Sequence, residues 1–122
     1  GAEPLTPDEM ARRAWPALSS PEADGVFALW FQLVGLASAG IEPYDELARV
    51  SLGAWIAWLA PRLAVDDDED PAAAAASLVA TIDGLLLVRA VLGPRHADAA
   101  AAGLGLARPG AGAPRGDSVR PG

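Results

Sequence analysis

The run Asp66-Asp67-Asp68-Glu69-Asp70 is the densest group of potential metal ligands in the chain. Carboxylates at this spacing could hold a hard cation against a diphosphate. That chemistry needs a helix wall facing a deep cavity and a second acidic cluster elsewhere. Here the run lies between two helical patterns in a chain of 122 residues. We read it as a solvated loop that ends in a helix cap, and no metal is expected.

The other reactive residue types lack partners. His96 is the single histidine, and with no cysteine and no second histidine it completes no zinc set. No serine sits in a Gly-x-Ser-x-Gly elbow that could use it as a base. His96 is read as a surface or interface residue. Gly103-Leu104-Gly105 begins a glycine pattern, but Arg108 stands where a third glycine is needed and no strand precedes it, so a nucleotide fingerprint fails. Arg115-Gly116-Asp117-Ser118 spells an integrin-binding string inside an Arg/Gly/Pro tail, where chance accounts for it. No catalytic residue and no cofactor are assigned, and binding without turnover is expected.

Asp83 and Arg89 are the polar residues that need explaining. Both interrupt the segment at 70–93, DPAAAAASLVATIDGLLLVRAVLG, which reads as one helix apolar on nearly every side. Ionic groups buried there must be paired or hydrogen-bonded. Their spacing sets them on different faces, so they do not pair within the helix. One could meet a symmetry mate and the other a cavity, or both could simply reach the rim. Asp83 is taken as the cavity residue and Arg89 as the interface residue. About 20 apolar residues span a bilayer. Both charges lie well inside the segment and much of its remainder is weakly hydrophobic alanine, so no membrane partner is expected.

A second constellation is aromatic. Phe27, Trp30, Phe31, Trp55 and Trp58 fall on two successive helical patterns. Most such stripes are ordinary core. Three Trp and two Phe on adjacent helices are nevertheless hard to pack without gaps, and apolar pockets with a few polar groups sit between bundle helices. With Val34 widening the stripe and Asp83 as its polar group, these residues are the candidate ligand-binding set.

The elements that must position these groups are all helical, with no sustained period-two alternation. Thr6-Pro7-Asp8-Glu9 is a capping box opening a short helix to about residue 18, which Pro16 is expected to truncate. Ser20-Pro21-Glu22 opens a helix to about residue 39, stopped by Gly40. It carries Val26, Leu29, Trp30, Leu33 and Ala37 at helical spacing. A third helix starts near Pro43, with Leu52, Trp55, Ile56, Leu59 and Leu63 on one face and Trp58 beside it. Pro61 should kink or end it.

In the long helix, Asp70 caps the first amides, Pro71 suits the first helical position, and Gly93-Pro94 stops the chain. Leu78, Ile82, Leu85, Arg89 and Leu92 form one stripe; Val79, Leu86 and Ala90 form another. Two stripes call for two partners, one of them the same helix of a second copy about a twofold axis. The first stripe is taken as the dimer interface. A last Ala-rich helix spans about residues 95–106.

Composition limits the rest. The chain makes one domain at most, at residues 1–106, and the tail at 107–122 has too little apolar content to fold. It opens on Gly, with a helix signal within a few residues, and reads as a piece of something longer. All nine basic residues are Arg, and the formal net charge is −7. A phosphate backbone would repel it, so this chain does not itself grip nucleic acid. The absence of cysteine rules out a disulfide framework and suits a reducing cytoplasm, where we expect the protein. No basic stretch followed by an apolar run marks a secretory signal.

The order ALSSPEADGVFALWFQLVGLASAG, EPYDELARVSLGAWIAWLAPRLA, DPAAAAASLVATIDGLLLVRAVLG and HADAAAAGLGL resembles the C-terminal regulatory domain of TetR-family transcriptional regulators, in its actinobacterial form. The likeness runs from Met10 to about Leu106. Its most specific part is the DP-A-rich opening followed by LVATIDGLLLVRAVLG, similar to the penultimate helix with which that family builds a four-helix dimer interface. The family's N-terminal helix-turn-helix is missing here, so DNA binding falls on no residue of this chain.

The resemblance implies an antiparallel bundle of about five helices. Its last two would pair with their copies, and the helices carrying Trp30 and Trp55 would wall a pocket for a small hydrophobic effector. A ligand preferring one helix arrangement would shift the spacing of the absent DNA-binding heads. Two other readings compete: a helical dimerisation or interaction module without a ligand, and, least favoured, a small metal-assisted enzyme built on the acidic run.

Overall fold

The computed structural model describes residues 3–107, which form five α-helices and one 3-10 turn, with no strand among the described residues. The fold is all-α, as the helical periodicity requires. Of the tail expected at 107–122, all but Ala107 lies outside the described residues.

Helix α1, Pro7–Leu18, begins at the expected capping box. The Glu9 amide donates to the Thr6 hydroxyl at 3.2 Å, and the Thr6 amide donates to the Glu9 carboxylate at 2.9 Å. Two amides left free by helix geometry are thereby satisfied. Pro16 does not truncate the helix, which runs on to Leu18. So near the end, the lost amide costs one hydrogen bond and the helix has little left to break. Ala11 and Trp15, one turn apart, carry the buried face.

Helix α2, Pro21–Ser38, opens without a side-chain cap, because the Ser20 hydroxyl donates back to the Ala17 carbonyl instead. It stops where Gly40 takes a φ of +75°, a conformation open to glycine. Helix α3, Tyr44–Leu59, tightens into the 3-10 turn Ala60–Arg62 at Pro61. The chain then lies beside the N-terminal segment: the Leu5 amide donates to the Arg62 carbonyl at 3.3 Å and the Ala64 amide to the Leu5 carbonyl at 2.7 Å.

Helix α4, Pro71–Leu92, is the axis of the bundle and packs on all four other α-helices. The Asp70 carboxylate accepts from the Ala72 amide at 3.0 Å, and Gly93 ends the helix with a φ of +99°. Helix α5, Pro94–Gly103, lays Ala97 and Ala101 fully buried in the core it shares with α4. Their small side chains permit close backbone approach. Gly105, with a φ of +78°, turns the chain so that Leu106 folds back into the core.

The core joins Ala11 and Trp15 of α1, Leu59 and Leu63 around the 3-10 turn, and Ala75, Leu78, Ile82, Leu85 and Leu86 of α4. This overturns most of the expected dimer stripe. Leu78, Ile82 and Leu85 are 7%, 8% and 4% exposed within a single copy, and so have no surface left for a second. Of the five residues assigned to the interface only Leu92 stands free, at 59% exposure. The outward face of α4 is instead Ala76, Ala80, Gly84, Leu87 and Val91, at helical spacing and all exposed. Sequence periodicity could count two stripes, but α4 is apolar all round and gave no contrast to say which one its own chain would cover.

Candidate functional site

The polar residues of α4 both find partners on α2. The Trp30 indole N–H donates to Asp83 Oδ2 at 3.4 Å. Arg89 grips Asp24 with two prongs, Nε donating to Oδ1 at 2.8 Å and Nη2 to Oδ2 at 3.1 Å. Six residues separate the two contacts along each helix, in opposite chain directions, as an antiparallel crossing demands. Both charged groups are thus partnered within a single copy.

The electrostatics of the two contacts differ. Partial burial pushes the Asp83 carboxyl above the usual carboxylate range, and the indole N–H offsets only part of that rise. Asp24 is held below its usual range, first by its hydrogen bonds from Arg89 against a smaller desolvation cost, with the Arg89 charge adding to the lowering. The same hydrogen bonds raise Arg89. Its side chain is 9% exposed while that of Asp24 is 52% exposed. The cation is thus sequestered and its counter-ion is half in water.

A cleft of about 270 Å³ opens at this ion pair. Phe27 and Ala28 of α2, Leu86 and Ala90 of α4, and Pro94 at the start of α5 form its apolar walls, with Asp24 and Arg89 as its polar side. Among the expected ligand-binding residues, only Phe27 lines it.

The expected aromatic pocket is divided. Phe27 and Phe31 pack against the core from α2, and Trp30 is partly buried at Asp83. Trp55 and Trp58 face outward at 58% and 51% exposure, and Val34 is 37% exposed. Residues so exposed do not close a cavity with the α2 aromatics. The reason lies in α3: Ile56 and Leu59 turn inward, and each tryptophan precedes one of them by a residue, about 100° round the helix. Trp58 carries the Arg62 guanidinium 4.1 Å from its ring centroid, a cation–π contact at the surface.

The chain matches no family model, no curated protein and no solved structure.

The acidic run lies in the connection ahead of α4. The Asp66 amide donates to Glu69 at 3.1 Å and Asp70 caps α4, so two of its five carboxylates serve the backbone. Among the described residues no group of three His, Asp or Glu side chains is gathered as for a metal ion. His96 is exposed in the first turn of α5.

By length and composition alone α4 could cross a membrane, with a mean hydropathy of 1.9 over its most apolar window. Asp83 and Arg89, however, are satisfied within the bundle by α2.

Sequence reasoning missed Asp24 and the cleft. Asp24 is a first-turn acid of α2, a position favourable to the helix dipole that gives no sign of a distant partner. The available signal was the pair of polar interruptions in α4, six residues apart, matched by Asp24 and Trp30 six apart in α2.

Proposed function

We propose that the chain is the effector-sensing and dimerisation domain of a TetR-like transcriptional regulator, one that acts on DNA through an N-terminal domain outside this chain. The observation that carries the reading is the outward apolar face of α4. A helix that fills the core with one side and presents Leu87 and Val91, 50% and 72% exposed, on another is suited to pack against its own copy. The small residues Ala76, Ala80 and Gly84 on that face would let the two copies of α4 approach closely. With α5 alongside, the two copies would form a four-helix interface.

The order of helices supports the same reading, and the net charge of −7 disfavours a direct grip on a phosphate backbone by this chain. The effector would be a small, largely apolar molecule bound without turnover, and the compartment the cytoplasm. Sedimentation of the chain in dilute buffer tests the interface. A folded dimer is expected; a folded monomer at every concentration overturns it.

One observation favours a second reading, an interaction module without an effector. Val26 and Leu29 of α2 and Trp55 and Trp58 of α3 all stand more than half exposed. Such a surface suits a protein partner better than an enclosed ligand. If that reading holds, no small molecule changes the thermal midpoint of the dimer.

A further inference from the structure

The cleft beside Arg89 combines two properties seldom found together. Only 9% of the Arg89 side-chain surface is exposed, so little water can take the place of a lost anion. Its present anion, Asp24, is half exposed in the first turn of α2. If Asp24 turned outward it would regain water and stay within reach of the positive end of the helix dipole, so its departure is inexpensive. Arg89 would then face an apolar cleft with its fork of donors open, a geometry that matches a carboxylate in bidentate fashion.

We propose that this cleft binds a small carboxylate with an apolar body, the ligand carboxylate taking the place of Asp24 on the Arg89 guanidinium. One ion pair replaces another, so the exchange alone is nearly neutral. The net affinity comes from covering Phe27, Leu86 and Pro94 with the apolar body. A cleft of about 270 Å³ has the volume of about nine waters, room for a ligand on the order of ten non-hydrogen atoms. The chain's negative charge repels anions at long range, but at physiological salt that repulsion is screened beyond about 8 Å. The buried pair inside the cleft is screened far less.

The displacement would also untie α2 from the C-terminal turn of α4, the helix whose outer face is proposed to meet a second copy. The inference thus names the effector class for the sensor reading and rests on that reading for its regulatory sense. Ligand binding itself is a property of one copy.

Octanoate, octanol and octylamine, titrated calorimetrically into the whole chain, separate this site from general adsorption to the exposed apolar faces. Saturable one-to-one binding of octanoate is expected, with octanol at least about tenfold weaker and no saturable binding of octylamine. Asp24→Asn removes the competing anion and should tighten octanoate about tenfold, and Arg89→Met should abolish it. Equal binding of all three compounds, no binding of octanoate, or an Asp24→Asn variant that binds no tighter overturns the proposal. Asp24→Asn keeps the test decisive even if Arg89→Met fails to fold. Sedimentation of the same samples distinguishes the two readings: loss of octanoate binding leaves a dimer standing, and a monomer that binds octanoate refutes only the interface.

Discussion

Arg89, in the last turn of α4, holds Asp24, in the first turn of α2, through two hydrogen bonds of 2.8 and 3.1 Å. With the Trp30–Asp83 hydrogen bond it fixes how the two helices lie against each other. Apolar contacts alone would do this poorly, since α2 has no fully buried residue. The paired polar groups add a directional register to the Phe27 and Phe31 contacts with the core.

Breaking the pair from one side should harm the fold more than removing both partners. Asp24→Asn leaves the buried guanidinium without its counter-charge, whereas adding Arg89→Met removes the need for one. In urea unfolding, Asp24→Asn is expected to lower the midpoint more in the wild-type background than in the Arg89→Met background. Additive midpoints would show that the pair contributes no coupling.

The pH dependence of that pair has a definite sign. Because the folded state holds the Asp24 carboxyl below its usual range, the stability it lends is present above that range. It is lost as the pH falls through the lowered value. The midpoint difference between wild type and Asp24→Asn should therefore be full at pH 7 and disappear on acidification. A difference that persists below the carboxylate range would exclude ionisation as its source.

Asp83 should behave in the opposite way. Burial raises its carboxyl in the fold, so the ionised form costs stability at neutral pH and the cost fades as the group protonates. Asp83→Asn keeps an oxygen for the Trp30 indole and removes the charge. It is expected to stabilise the protein by less than about 1 kcal/mol at pH 7, given the half-exposed site. The gain should shrink as the pH falls through the carboxylate range, measured by urea unfolding followed through tryptophan fluorescence.

The two faces of α4 give contrasting variants. Leu85, 4% exposed, is core, and Leu85→Ala should cost about 2–5 kcal/mol in urea unfolding. Leu87→Glu and Val91→Glu lie on the free face. They should leave the helical circular dichroism intact while halving the mass seen in sedimentation. An unaltered dimer in both would move the interface elsewhere.

Asp70 should matter as a cap. Asp70→Ala removes the acceptor for the Ala72 amide and is expected to cost about 1 kcal/mol. Millimolar magnesium should leave the thermal midpoint unchanged in both the wild type and the variant. A rise with magnesium in the wild type alone would make the run a cation site.

The helices and nearly all of their ends are legible along the chain. The reason is local: Thr6 and Glu9 satisfy each other's amides, Asp70 caps α4, and Gly40 and Gly93 adopt backbone angles that other residues resist. Each of those signals acts over a few residues and can be read along the chain. Pro16 misled because only Ala17 and Leu18 lie beyond it in α1, too little helix to be lost.

Which face of each helix goes inside depends instead on packing between helices. On α4 the apolar residues run all round, so the choice that buried Leu78, Ile82 and Leu85 and freed Leu87 and Val91 was made by the helices that came to lie on it. On α3 one residue of rotation separated a wall of tryptophans from a surface of them. The Asp24–Arg89 pair joins positions 65 residues apart, a distance over which no periodicity reaches. Capping is set by neighbours in sequence, whereas burial and pairing are set by neighbours in space.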